Sequence, residues 1–263
     1  MPPHNRRESV NPPMPMNWNH DRPPSSPYKA YLENSCSPMT GLVFALPFVI
    51  LYHIGVWMIR ESGEPPWANG ADILLAKWLY ALGIGGPMIS LLFLIIVLLI
   101  AQQISGRPWR WRSGTLGLML LESVVFALPP FLLGNLVGRA LMAAGAGAAK
   151  PLFVNLILSL GAGVYEEFLF RMLLMGLFFL VLQRLFPRSS GLVYFVAVLS
   201  QAVLFSLFHY LPGSNEVFVF PVFAFRTLAG IYFAYIYQER GFGIAAGSHA
   251  LYDVIAVMLN AFR

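Results

Sequence analysis

The sequence predicts an all-α protein, a polytopic transmembrane helical bundle of about seven spans, and two observations carry that expectation. The chain has 263 residues, of which 57% are hydrophobic and only 11% charged, with a mean hydropathy of +0.66. Globular chains carry roughly 25% charged residues, and a chain with less than half of that has too little charge to cover a soluble surface. The second observation is the arrangement: apolar stretches of about twenty residues, long enough to cross a ~30 Å hydrocarbon core as helices, recur between short polar links. The net charge of +5 is scattered among those links instead of striped along one face, which excludes a nucleic-acid partner and leaves the lipid bilayer as the first one. The single cysteine, Cys36, excludes an internal disulfide.

Residues 1–39 are rich in Pro, Asn, Ser and charge and have no face to bury, so a disordered, Pro-rich cytoplasmic tail is expected there. No apolar h-region follows the early arginines, which argues against a signal peptide. Residues 40–150 read as N-terminal transmembrane helices. The first span covers about Thr40–Ile59. The apolar stretch 71–104 is too long for one straight crossing, and Gly83, Gly85, Gly86 and Pro87 offer a break. Segment 71–82 is then expected at the interface and 87–104 across the membrane; the count becomes eight if 71–86 crosses by itself. A third span at about 114–138 has a kink expected at Pro129-Pro130. Its Glu122 reads as a helix–helix hydrogen-bonding group. A small-residue linker, 142–150, leads to a fourth span from Pro151 to Phe186, followed by spans at about 191–210, 217–238 and 244–262.

Basic residues set the orientation. Arg6, Arg7, Arg22 and Lys29 precede the first span, Arg107, Arg110 and Arg112 follow the second, Arg184 and Arg188 the fourth, and Arg240 the sixth. With seven spans these groups share one side, expected to be cytoplasmic, with the protein in a bacterial inner membrane and its N-terminus inside. Arg60, Arg139 and Lys150 are on the other side, and Arg263 is a minor exception.

Three polar clusters interrupt the apolar spans. In the fourth, Glu166 and Glu167 are followed by Arg171. Charges at bilayer depth cost roughly 2.5–3.5 kcal/mol each on insertion scales, so three together need a reason. At i,i+4, Glu167 and Arg171 share a face and pair, while Glu166 points about 100° away and is free for other work. Next come Phe205 and His209 at the end of the fifth span. Glu166 and His209 each lie about 20 residues from the turn near Pro187-Arg188, so antiparallel helices bring them to one depth, close enough to touch. Finally His249 and Asp253 are an i,i+4 pair in the last span. His249 is only about nine residues past the Glu239-Arg240 turn, so to reach that depth the chain needs an extended climb through Gly241, Gly243 and Gly247. Arg226 is expected to snorkel or to pair with an acid.

In this order, Glu166-Glu167-Phe168-Leu169-Phe170-Arg171, Phe205-Ser206-Leu207-Phe208-His209 and His249-Ala250-Leu251-Tyr252-Asp253 resemble the EExxxR, FxxxH and HxxxN/D motifs of the CPBP family of intramembrane proteases. That family includes CAAX prenyl endopeptidases and bacteriocin-processing and immunity proteins. The resemblance covers about 160–256, within a 151–263 catalytic core, and implies an intramembrane endopeptidase acting on a membrane-associated protein or peptide. It implies that Glu166 and His209 activate a water, that Arg171 offsets Glu167, and that His249 with Asp253 supports the oxyanion, with Phe205 in support. A polar cavity open to the cytoplasmic side is then required. Asp253 stands where prenyl endopeptidases have Asn, and an ionised Asp cannot donate to an oxyanion, which weakens the prenyl-substrate expectation more than the peptidase one. Three alternatives stay open. Glu166, His209 and His249 can hold Zn²⁺ in a metalloprotease variant. A non-catalytic immunity or scaffold protein would use the same fold, and a proton-coupled transporter would use the same acids and histidines. The substrate's identity and the oligomeric state are not written in the sequence.

Overall fold

In a computed structural model, the chain is described over residues 26–63, 67–141, 151–187, 189–211 and 216–261, with only the backbone described for 136–141. The linker 142–150 and the basic residues Arg6, Arg7, Arg22, Lys150, Arg188 and Arg263 lie outside the described residues, as does the side chain of Arg139. Every regular element among the described residues is helical. α1 (Pro27–Ser35) starts at Ser26, whose hydroxyl accepts from the Lys29 backbone N–H at 3.2 Å, with proline at the first helical turn. Pro27–Ser35 is thus helical, with its Ser26-Pro27 start signal inside the stretch expected to be tail. The remainder of that tail, residues 1–25, is outside the described residues.

α2 (Pro38–Glu61) is followed by α3 (Gly70–Ala81), α4 (Ile89–Ser105) and α5 (Ser113–Leu141), the last running through Pro129 and Pro130 as one helix. α6 spans Leu152–Leu185 and α7 Ser190–Phe208. The helical stretch Phe220–Ala261 is broken at Gly241, whose φ of 77° and ψ of 176° reverse the chain. Its halves are α8 (220–240) and α9 (242–261), and they lie antiparallel, since Phe233 stacks on His249 with ring centroids 4.6 Å apart. Five helices are long and apolar enough to cross a membrane, one of them this divided stretch, and α4 is a shorter apolar helix. Together they make the seven passes expected. α3, with 12 residues, is about 18 Å long and does not cross by itself.

The helices turn their apolar faces both inward and outward, as lipid requires. On α4, Leu92, Ile96, Ile100 and Ile104 are exposed while Ser90, Leu94, Leu98 and Gln102 are buried. The buried stripe joins Tyr52, Leu75, Val164, Tyr165, Phe168 and Phe205 in the main core, and the exposed stripe is the face a bilayer covers.

α1, the α4–α5 link and the α8–α9 turn gather at one end. Arg107 Nη1 donates to the Glu33 carbonyl at 2.9 Å. Arg240 forks onto Glu122 through Nε (2.6 Å) and Nη2 (2.8 Å), and Nη2 also reaches Ser35 Oγ at 3.0 Å. Tyr31 O–H donates to Glu122 as well. Glu122 is thus the interhelical partner expected, with an ion pair added. Burial pushes the neighbouring Cys36 thiol above its ordinary pKa, so it stays a neutral filler against Gly241. Arg226 pairs with Glu216 at 2.6 Å, the acid pairing expected of it.

The fork ties the α8–α9 turn to Glu122, about nine residues into α5. α9 is helical from Phe242 onward, so the expected extended climb through the glycines does not occur.

Arg240→Met should lower stability by about 2–4 kcal/mol, because it leaves Glu122 a largely enclosed charge without a cation. The check is thermal unfolding in detergent, with recovery expected in the Arg240→Met/Glu122→Met double variant.

Candidate active site

The middle of α6, Ala162–Met175, is π-helical, a wide turn that is rare and concentrated at functional positions. Its second glycine of the Gly161-Ala162-Gly163 step matters for close approach: a Cβ on Gly163 would lie 2.4 Å from the Ala250 backbone nitrogen. Only glycine lets α6 press against α9 one residue from His249. The following turn presents both acids to the protein interior, where Glu166 is 5% and Glu167 0% exposed.

Glu167 is the node. Its Oε1 accepts from His249 Nδ1 at 2.7 Å, and Arg171 Nη1 stands 3.2 Å from the same oxygen. Arg171 is fully buried and makes no side-chain hydrogen bond. Its guanidinium lies 4.4 Å over the Phe205 ring and 5.9 Å from that of Phe233, so one carboxylate and two aromatic faces hold its charge. The pair expected between Glu167 and Arg171 is present, despite the change from α to π geometry.

Glu166 faces the other way, toward α9. Its Oε2 is 3.9 Å from His249 Nε2, and Asp253 Oδ2 is 3.6 Å from that same nitrogen. Its Oε1 accepts from Asn69 Nδ2 at 3.0 Å. His249 is therefore gripped at Nδ1 by Glu167, with its Nε2 directed between two further carboxylates. Of the two acids beside His249, Glu167 is within hydrogen-bonding distance of the ring at 2.7 Å and Asp253, at 3.6 Å, is not.

His209 caps the C-terminus of α7, with Nδ1 2.9 Å from the Phe205 carbonyl. A carbonyl only accepts, so Nδ1 carries the hydrogen and Nε2 keeps its lone pair. Phe205 lies between the two imidazoles, with centroids 5.1 Å from His209 and 6.1 Å from His249. The direct contact expected between Glu166 and His209 is absent: no hydrogen bond or ion pair among the described residues joins them, because the end of α7 turns the ring onto its own backbone. By helix rise, His209 is about 28 Å from the start of α7. His209 thus lies at the end of α7 opposite the Arg184 link.

The proposed zinc ligands do not assemble into a metal site. No group of three or more His, Cys, Asp or Glu among the described residues is placed to hold a metal ion.

Sequence reasoning missed Asn69 and Phe233. Asn69 carries the N-cap signal of α3, but its meeting with Glu166, 97 positions away, has no local signature. Phe233 looked like any other apolar residue of α8.

The fold and this cluster define an integral membrane protein that encloses ionisable side chains from its fourth, fifth and seventh passes. Residues 147–255 match the family model described as type II CAAX prenyl endopeptidase Rce1-like. That is a protease family, in agreement with the CPBP resemblance of the three motifs. No curated protein and no solved structure matches the chain.

Phe205→Ala should cost about 3–5 kcal/mol, since one ring supports Arg171 and both imidazoles. A melt in detergent reads the loss, and Phe205→Leu, which keeps most of the volume, should restore more than half of it.

Proposed function

We propose that this protein is an intramembrane endopeptidase that hydrolyses a peptide bond of a membrane-associated protein or peptide. One observation carries the reading: Glu166 and Asp253 converge on Nε2 of a histidine whose other nitrogen is already held by Glu167. Such wiring fixes the ring's orientation and aims one N–H at a single point, which a passive ion network does not require.

In this mechanism a water lies between the Glu166 carboxylate and the free Nε2 of His209. Glu166 takes a proton from it as the oxygen attacks the scissile carbonyl carbon. Negative charge grows on the carbonyl oxygen, and protonated His249 donates to it from Nε2, its own charge offset by Glu167 through Nδ1. The tetrahedral intermediate collapses with cleavage of the C–N bond, and the proton held by Glu166 passes to the leaving amine. Arg171 is a positioning residue, balancing Glu167 from within the core. Asp253 lies on the Nε2 side of His249 and shapes the space where the oxyanion forms.

Residues 151–263 act as the catalytic core in this reading, and 40–150 as the helices that close it from lipid. The basic links favour an N-terminus in the cytoplasm of a bacterial inner membrane. With that orientation the substrate bond is offered from the outer half of the bilayer, which disfavours a prenylated cytosolic tail. The acid at 253, where prenyl endopeptidases carry Asn, points the same way.

The test uses quenched reporter peptides, farnesylated and unmodified, with the full-length protein in detergent or liposomes. Glu166→Gln should reduce kcat about 10²–10⁴-fold, and His249→Ala about 10²–10³-fold. Cleavage of neither peptide by the wild type, or wild-type rates in Glu166→Gln, would overturn the reading.

A further inference from the structure

We infer that Asn69 is a positioning residue for Glu166: its amide pins Oε1 and leaves Oε2 as the oxygen that takes the proton. The inference rests on the reading of Glu166 as the general base, and it brings the N-terminal helices into the site.

The orientation of the amide is fixed by its surroundings. Asn69 is the N-cap of α3, and its Oδ1 accepts from the backbone N–H of Ala71 at 2.8 Å and of Asp72 at 3.4 Å. Those donors require the carbonyl half of the amide, so the NH₂ half is the one that meets Glu166 Oε1 at 3.0 Å. The backbone is held as well. The Asn69 N–H donates to Tyr52 Oη at 2.9 Å, and Tyr52 O–H donates to Asp72 Oδ2 at 2.8 Å. Ser90 O–H donates to the other Asp72 oxygen. Three helices, α2, α3 and α4, therefore fix one amide on one carboxylate oxygen.

The chain also seats this step against the other side of the site. A Cβ on Gly70 would lie 3.1 Å from the Phe208 ring, and that ring adjoins His209 with centroids 5.9 Å apart. The Asn69-Gly70 step therefore fits between Glu166 and the end of α7.

The choice of asparagine follows from the two tasks. Good N-caps are Asn, Asp, Ser, Thr and Gly. Asp accepts but cannot donate when ionised, and Ser and Thr place both functions on one oxygen too short to reach both ways. Only Asn caps α3 with one atom and donates to Glu166 with another. A carboxylate freed from this bond can rotate about its last bond and misplace the accepting oxygen by about 1 Å, an error that costs on the order of 10²-fold in rate.

Capping alone and positioning predict opposite orders among variants. If Asn69 only caps α3, Asn69→Asp keeps full activity, Asn69→Ser nearly so, and Asn69→Ala is worst. If it positions Glu166, Asn69→Ser retains the wild-type Tm, Asn69→Asp melts lower because its carboxylate replaces an amide 3.0 Å from Glu166 Oε1, and both lose kcat by about 10–100-fold and keep KM within about twofold. The assay is kcat, KM and Tm for full-length protein on the quenched peptide that the wild type cleaves, with Glu166→Gln alongside. Wild-type kcat in both Asn69→Asp and Asn69→Ser with an inactive Glu166→Gln overturns this inference alone. An active Glu166→Gln overturns the reading of Glu166 beneath it. Should Asn69→Asp fail to fold, Asn69→Ser decides by the same criteria.

Discussion

The hydrogen bond from His249 Nδ1 to Glu167, 2.7 Å long, is the interaction on which the rest of the site depends. It joins the fourth pass to the last one inside a region with almost no water to replace a lost partner. An unpaired carboxylate there would be costly, and Arg171 stands 3.2 Å from the same oxygen. Phe205 and Phe233 then cover the guanidinium, and Phe233 stacks on His249 itself. The acid, the cation, the imidazole and two rings thus form one closed unit. Glu166, one position earlier on the same wide helical turn, meets the other side of the His249 ring, 3.9 Å from Nε2, and the Asn69 amide. Two adjacent glutamates of identical chemistry acquire different environments because one is consumed by structure.

Much of this arrangement was legible in the sequence. Apolar segments of membrane length gave the passes, and the positions of Arg107 and Arg240 correctly placed the links that meet around α1. The pairing of Glu167 with Arg171 followed from spacing alone. The depth of His249 did not. The turn before it is tied to α5 by a fork between Arg240 and Glu122, 118 positions apart. Local periodicity carries no record of such a tie. The same holds for Asn69, whose capping role is local and whose contact with Glu166 is not. Sequence spacing also assumes an α-helix, whereas α6 is π-helical where it matters, and it takes no account of a backbone carbonyl, that of Phe205, holding the His209 ring.

The first passes read as variable cover, yet they form part of the site. α2 contributes Tyr52, the α2–α3 connection contributes Asn69, and α4 contributes Ser90 to one hydrogen-bonded network ending on Glu166. Hydrophobic packing between helices gives little drive in lipid, so polar contacts and close approach carry more of the specificity. Gly163 against Ala250 is one such approach, between α6 and α9, and the Arg240–Glu122 fork ties the α8–α9 turn to α5. Precision at the site comes from these few contacts, while the exposed leucines and isoleucines of α4 only match the bilayer.

The most direct measurement is a double-mutant cycle between Glu167 and His249, read as unfolding free energy in detergent for Glu167→Gln, His249→Gln and the pair. A bonded pair should show a coupling of at least about 1 kcal/mol, whereas independent sites add to within about 0.5 kcal/mol. Coupling of the larger size is the expected result; simple additivity would mean that the fourth and seventh passes do not meet at these side chains, and the account of the site would fail with it.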